Sequence, residues 1–113
     1  MESDFAIRAL GALAQESRLA IFRLLVQRGP DGHAAGAIGQ MLGLPNATLS
    51  FHLKELSAAQ LIAPRQAGRS IIYSADFAAM NQLLEFLTEN CCADASCHPA
   101  ACKPKRVSKR SKP

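Results

Sequence analysis

Residues 44–62, LPNATLSFHLKELSAAQLI, carry the pattern that decides the fold. Leu49, Leu53 and Leu56 stand at i, i+4 and i+7, so they form an apolar stripe along one side of a helix. The opposite face is small, polar and basic, with no acidic residue before Glu55. Such a face suits the DNA major groove, where hydroxyls and amides read base edges and lysine meets phosphate. The residues predicted to contact DNA from this helix are Asn46, Thr48, Ser50, Phe51 and Lys54.

Three shorter helices are predicted ahead of this stretch. The first covers residues 4–14, and a second begins after Ser17 as N-cap and stops at Gly29-Pro30. A third covers residues 33–42 and ends at Gly43, immediately before the leucine-striped helix. Two short helices joined by a tight glycine-containing turn are typical of a helix-turn-helix, whose second helix enters the groove.

A β-hairpin is predicted directly after the leucine-striped helix, in LIAPRQAGRSIIYSA. Two β-prone runs flank Ala67-Gly68, and Pro64 restricts the first run to an edge strand. Arg65 and Arg69 stand on either side of the turn, where we expect them to contact sugar-phosphate or the minor groove. A solvated hairpin with incidental arginines is the plainer alternative. The order of elements predicts a mostly α fold with a small β-hairpin, a winged helix-turn-helix.

The last predicted helix, residues 76–90 with Asp76 as its cap, is apolar over more than half its circumference. One small domain cannot hide that surface, so we expect a homodimer formed through the first and last helices. A two-fold dimer places two recognition helices about one DNA turn apart, on an operator with an inverted repeat. The residues predicted at the dimer interface are Phe5, Leu10, Phe77, Met80, Leu84 and Leu87.

Length and charge divide the chain of 113 residues into a DNA-binding and dimerisation domain at 1–90, a cysteine-rich segment at 91–102 and a basic tail at 103–113. The tail holds six of the thirteen basic groups and no acid, and we expect it to be disordered. The remainder has seven basic against nine acidic groups, a net charge of −2. No apolar run spans a membrane and no signal peptide is visible, so we expect a cytoplasmic protein.

Residues 5–90 resemble the ArsR/SmtB family of metal-responsive repressors, most specifically in SFHLKELSAAQLI and RQAGRSIIY. The family usually has glycine where this chain has Gln60. The resemblance implies a repressor that holds DNA without metal and releases it when metal binds. The matching positions are Ser50, His52, Leu53, Leu56, Ala59, Leu61, Gly68, Arg69 and Tyr73.

Two metal sites familiar in that family are absent from their usual places. Residues 33–42 contain no Cys-x-Cys pair, and the last helix has acidic residues but no histidine. We interpret His52, on the leucine side of its helix, as a packed and hydrogen-bonded residue. His33, beside a turn, is interpreted as structural or solvent-facing. The sensing residues must therefore lie elsewhere.

All four cysteines fall within twelve residues, in CCADASCHPAAC, immediately after the last helix. Cytosolic thiols stay reduced, so we expect no permanent disulfide, and soft thiolates select soft ions. Trivalent arsenic and antimony form three bonds to sulfur in a trigonal pyramid. We therefore predict As(III) or Sb(III) as inducer, held by Cys91, Cys92 and Cys97, with Cys102 as a candidate fourth ligand. Some arsenic-sensing family members have a similar vicinal pair and third cysteine after the final helix, and this chain resembles them.

Other readings of the cysteines remain open: methylated arsenic, a thiol-redox switch, or cadmium, lead or zinc with Cys102 or His98 as fourth ligand. No nucleophile-base-acid set or phosphate loop is visible, so neither an enzyme nor an organic cofactor is expected. Neighbouring side chains on an intact helix diverge by about 100°, so the vicinal cysteines can share an ion only past the helix end. Asn90 suits the left-handed turn that ends it. We expect binding to fold residues 90–97 against the dimer helix and to spoil the spacing of the recognition helices.

Overall fold

The computed structural model describes residues 2–92. Within that range the chain forms a mostly α domain with a small antiparallel sheet, which confirms the predicted winged helix-turn-helix. No helix in the range is both long and apolar enough to cross a membrane. The elements are α1 (Ser3–Leu13), α2 (Glu16–Arg28), β1 (His33–Ala34), α3 (Ala35–Leu42), α4 (Asn46–Ala58), β2 (Ile62–Ala67), β3 (Ser70–Ala75) and α5 (Phe77–Thr88).

The leucine stripe of α4 lies in the core, as its spacing predicted. Leu49, Leu53 and Leu56 are buried in one hydrophobic core with residues of α2 and α3, among them Leu25 and Ile38. Each fully buried side chain of this size contributes about 1.5–3 kcal/mol. The stripe therefore fixes how α4 is rotated about its own axis, and with it the face that points to solvent.

Glycines set the close approach of the two helices of the helix-turn-helix. Gly43 ends α3 in the left-handed conformation at φ 67°, and the Leu44 amide donates to the Gly39 carbonyl at 3.0 Å. A Cβ placed on Gly39 would lie 3.2 Å from the Leu49 side chain. The backbone of α3 can approach the first turn of α4 because Gly39 has no side chain.

The prediction that a helix covers residues 33–42 is wrong at its start. His33 and Ala34 instead form β1, which pairs with Tyr73 and Ile72 of β3 and completes a sheet of order β1-β3-β2. Gly32, at φ 70°, allows this pairing, because a Cβ there would overlap the Tyr73 carbonyl oxygen. A strand of two residues is too short to show a periodic pattern in the sequence. It forms only because β3 has an unpaired edge there.

The N-cap of α2, the end of α5 and the hairpin turn differ from the predictions. Helix α5 ends at Thr88 and not at residue 90. The N-cap of α2 is Gln15 and not Ser17, because its side chain reaches the Arg18 amide at 2.9 Å. Asp76 caps α5 as predicted and accepts from the Ala79 amide at 3.0 Å. The hairpin turn lies one residue later than predicted, since Ala67 already pairs with Ser70. Strand β2, which contains Pro64, is an edge strand as expected.

Gln60 ends α4 in a conformation that favours glycine. Its φ is 66°, while its amide donates to the Ser57 carbonyl at 2.9 Å and the Leu61 amide donates to the Leu56 carbonyl at 3.1 Å. This is the hydrogen-bond pattern of a helix that closes through a left-handed residue. The turn that the family usually makes with glycine is thus kept, at the cost of a Cβ in the left-handed region.

We predict that Gln60→Gly raises the free energy of unfolding by about 1 kcal/mol, because glycine adopts this backbone conformation without strain. Urea unfolding measures the change. Gln82→Gly, at an exposed position inside α5, is the matched control and should lower stability by about 1 kcal/mol. If Gln60→Gly destabilised the protein, the proposal that the backbone of Gln60 is strained would be wrong.

Candidate nucleic-acid interface and thiol site

The outer face of α4 is open to solvent along its whole length. All five side chains predicted to contact DNA from this helix are exposed, and Phe51 is 55% exposed. Hydroxyl, amide and ammonium groups therefore project on the side opposite the buried leucines. The face has the composition and accessibility that base reading in a major groove requires. The exposed set is Asn46, Thr48, Ser50, Phe51 and Lys54.

The position of α4 is also held by a polar contact that the sequence did not predict. The Arg18 guanidinium lies 3.3 Å from Nδ1 of His52, which is buried at 7% exposure, and its Nε donates to the Ala12 carbonyl at 2.7 Å. A guanidinium can only donate, so Nδ1 of His52 accepts and the ring proton lies on Nε2. This confirms the interpretation of His52 as packed and hydrogen-bonded. Arg18 links the end of α1 to the recognition helix.

The two wing arginines differ in their contacts. Arg65, on the edge strand, donates from Nη2 to the Asp31 carbonyl at 3.0 Å. Arg69 lies in the hairpin turn after Gly68, and within residues 2–92 its guanidinium makes no hydrogen bond. Both side chains are exposed. Arg65 is thus held close to the β1 end of the domain, whereas Arg69 can reach outward from the tip.

Only some of the residues predicted at the dimer interface are exposed to solvent. Leu10 is 43% exposed, and Leu84 and Leu87 are each 54% exposed. The other predicted members, Phe5, Phe77 and Met80, pack partly against the core of their own domain. Ile7 of α1, which was not among the predicted interface residues, is 66% exposed. An apolar groove of about 440 Å³ runs beside α5, lined by Leu13, Leu19, Phe22, Arg23, Val26, Gln27, Met80, Leu83 and Leu84.

Two of the predicted metal ligands lie directly past α5 in an irregular turn. The helix ends at Thr88, whose carbonyl accepts from the Cys91 amide at 3.0 Å. Asn90 and Cys92 both have left-handed backbones, at φ 59° and 62°. As a result the sulfurs of Cys91 and Cys92 lie 3.6 Å apart instead of diverging as they would on a helix.

The chemistry of this thiol pair depends on its oxidation state. Cys91 is a free, exposed thiol, whereas Cys92 is disulfide-bonded, against the expectation that no disulfide forms. Two sulfurs 3.6 Å apart would subtend roughly 100° at a shared ion with bonds of about 2.3 Å, the length of a Zn–S bond. Within residues 2–92 no three His, Cys, Asp or Glu side chains gather around one point. Cys97, His98 and Cys102 lie outside the described residues.

Comparisons with known proteins bear on the helix-turn-helix fold. A family model described as a helix-turn-helix domain matches residues 13–65. The chain is 32% identical to the nodulation protein NolR of Rhizobium meliloti over 88 residues, 78% of this chain and 70% of that protein. The structure of this chain is similar to that of an ArsR-like transcriptional regulator from Rhodococcus sp. RHA1, with a TM-score of 0.67 and 26% identity. The match covers 74% of this chain and 76% of that one.

A second solved structure adds information on assembly. It is the homodimeric winged helix-turn-helix DNA-binding domain of a regulator from Mycobacterium bovis. It has TM-score 0.61 and 28% identity to this chain, and the match covers 84% of this chain and 88% of that one. The same fold therefore occurs in a two-subunit form.

We predict that Arg18→Met lowers the free energy of unfolding by about 1–3 kcal/mol, because Nδ1 of buried His52 and the Ala12 carbonyl would both lose a donor. Arg23→Met is the matched control, since Arg23 is an exposed arginine of the same helix; it should change stability by less than about 0.5 kcal/mol. Urea unfolding of both variants makes the comparison. Equal effects would show that Arg18 contributes no specific contact.

Proposed function

We propose a specific function for this chain, which belongs to the ArsR-like family of winged helix-turn-helix transcriptional regulators: it is a homodimeric repressor that trivalent arsenic or antimony releases from its operator. Family and fold are those of DNA-binding regulators and not of enzymes. The observation that carries the finer proposal is the approach of the Cys91 and Cys92 sulfurs to 3.6 Å, immediately past the last helix.

DNA binding by the proposed dimer uses two kinds of contact. The exposed polar face of α4 enters the major groove, and Arg69 at the wing tip reaches phosphate or the minor groove. Two-fold symmetry through α1 and α5 sets two copies of α4 about one helical turn apart, which matches an inverted repeat. The exposed leucines at 10, 84 and 87 support this assembly, because a monomer would leave them in water.

Inducer binding requires three thiolates on one ion. Cys91 and Cys92 already lie close enough to share one, and Cys97 would complete a trigonal pyramid once the thiols are reduced. A soft, three-coordinate ion suits this donor set better than zinc, which favours four ligands in a tetrahedron. Cadmium, lead or zinc with Cys102 as fourth ligand is the metal alternative.

Release follows from linkage between residues 89–92, which we call the thiol turn, and α5, the helix proposed for dimerisation. Gathering a third sulfur reshapes the chain just past Thr88, and α5 carries exposed leucines of the proposed interface. If the ion favours a dimer whose α4 helices no longer match the groove spacing, ion and operator weaken each other by the same factor. Couplings of this kind are typically about 1–3 kcal/mol.

A second candidate function is favoured by the disulfide at Cys92. In this alternative two thiols form a disulfide, giving two electrons and two protons to a peroxide, and the oxidised repressor releases DNA without any metal. The two functions share the scaffold and differ only in the signal. Peroxide treatment in the absence of metal, followed by reduction with dithiothreitol, separates them.

We predict that Cys91→Ser, Cys92→Ser and Cys97→Ser each abolish arsenite-driven release and leave operator affinity within about two-fold of the wild type, because serine cannot supply a soft thiolate. Cys102→Ser is the matched control and should respond normally. Fluorescence anisotropy of labelled DNA from the protein's own upstream region, under reducing conditions, measures release by arsenite, antimonite, cadmium and zinc. A normal response of any one of the first three variants would remove that cysteine from the site.

We also predict that Leu84→Asp combined with Leu87→Asp dissociates the dimer, because two buried carboxylates would face an apolar interface. Sedimentation velocity measures the oligomeric state, and operator affinity should fall by at least ten-fold when the two halves separate. Ile71→Asp, at an exposed apolar position on β3, is the control and should remain dimeric. An unchanged dimer in the double variant would place the interface elsewhere.

A further inference from the structure

The phenyl ring of Phe51 is exposed on the polar face of the recognition helix. It is 55% exposed, although the leucines on the other side of α4 are buried and its neighbours Ser50 and Lys54 are hydrophilic. The ring takes no part in the hydrophobic core. A large aromatic side chain exposed in this position lowers solubility, which favours a role in contacting a ligand.

The ring is held on one side and open on the other. Its centroid lies 5.7 Å from that of the His52 ring, with the two planes tilted by 59°. This lies in the range of favourable aromatic pairs. His52 is itself fixed by Arg18, so Phe51 rests against a buried, anchored neighbour. Its preferred position is therefore partly set before any ligand arrives.

The residues around Phe51 indicate that its binding partner is a negatively charged polymer that also carries apolar groups. Ala47, one turn earlier on α4, is also exposed and extends the small apolar area. Lys54 is exposed on the same helix, and Arg69 is exposed on the wing. An apolar protein partner would not explain the polar and basic frame. In the major groove of DNA, the apolar group that a side chain can meet is the C5-methyl of thymine.

We infer that Phe51 is a specificity-determining residue that packs against the C5-methyl group of a thymine in each operator half-site. The inference rests on the proposed operator-binding dimer and adds the base that its recognition helix selects. Phe51 offers no hydrogen-bonding group, so its discrimination comes from apolar contact alone. It therefore distinguishes thymine from uracil, which pairs identically with adenine but lacks the methyl.

The size of the expected change in DNA affinity follows from the free energy of burying an apolar group. Burying one methyl group corresponds to about a four-fold change in affinity. Replacing the contacted thymine by deoxyuridine in both half-sites should therefore weaken binding by about 15-fold, whereas most other thymines in the site should tolerate the change. In the Phe51→Ala variant the same replacement should have little effect, because the alanine side chain is too short to reach the methyl that the phenyl ring contacts.

The experiment begins with selection of the reduced, full-length protein on random-sequence duplex DNA, which yields an operator without knowledge of the genome. Each thymine of that operator is then replaced by deoxyuridine in symmetric pairs, and anisotropy gives the dissociation constants for the wild type, Phe51→Ala and Phe51→Leu. Met41→Ala is the matched control: Met41 is an exposed apolar residue of α3, the helix that crosses the backbone and does not read base edges.

Loss of the deoxyuridine effect in Phe51→Ala, its partial retention in Phe51→Leu and its full retention in Met41→Ala support the inference. A wild-type protein that ignores every thymine methyl overturns it, and that measurement does not depend on whether the variants fold. An effect that persists in Phe51→Ala also overturns it, since another side chain must then meet the methyl. Failure to select any sequence would instead contradict the proposed operator binding, and the inference would fall with it.

Discussion

Burial of the leucine stripe of α4 is the constraint on which the rest of the structure depends. With Leu49, Leu53 and Leu56 in the core, the helix can present only one other face to solvent, and every candidate major-groove contact lies on it. The stripe also explains why position 39 is a glycine, because α3 must closely approach the Leu49 side chain there. A rotation of α4 by one residue would expose a leucine and bury a hydroxyl, which is costly on both counts.

A polar contact adds a second constraint that apolar packing cannot supply. The Arg18 guanidinium joins the Ala12 carbonyl near the end of α1 to His52 in α4, so the helix proposed for dimerisation and the helix proposed for reading DNA are tied together. Hydrophobic burial is non-directional, whereas these bonds specify an angle. A change in how two protomers meet could therefore reach the recognition face through this link, and His52 in turn supports the ring of Phe51.

The thiol turn joins the end of α5 to the chemistry proposed for it. An uninterrupted helix would hold the side chains of Cys91 and Cys92 about 100° apart. Left-handed residues on both sides of Cys91 bring the sulfurs together. Cysteines in this turn suit either the proposed soft-metal site or a disulfide, because both need accessible sulfur atoms. The turn follows α5, so either reaction could act on the exposed leucines of the proposed dimer interface.

From the sequence alone, periodicity determined α4, and turn chemistry determined the hairpin, the cap at Asp76 and the ending of α3, because these signals lie within a few residues of one another. The clustered cysteines predict soft-ligand chemistry, and this stays a prediction. Only the tertiary structure decided that His33 and Ala34 form a strand, since their partners in β3 lie far along the chain. The same holds for Arg18, the partner of buried His52, because the two residues lie 34 positions apart in the chain. Contacts between residues that are distant in the sequence depend on how the elements pack, and local sequence patterns do not predict that packing.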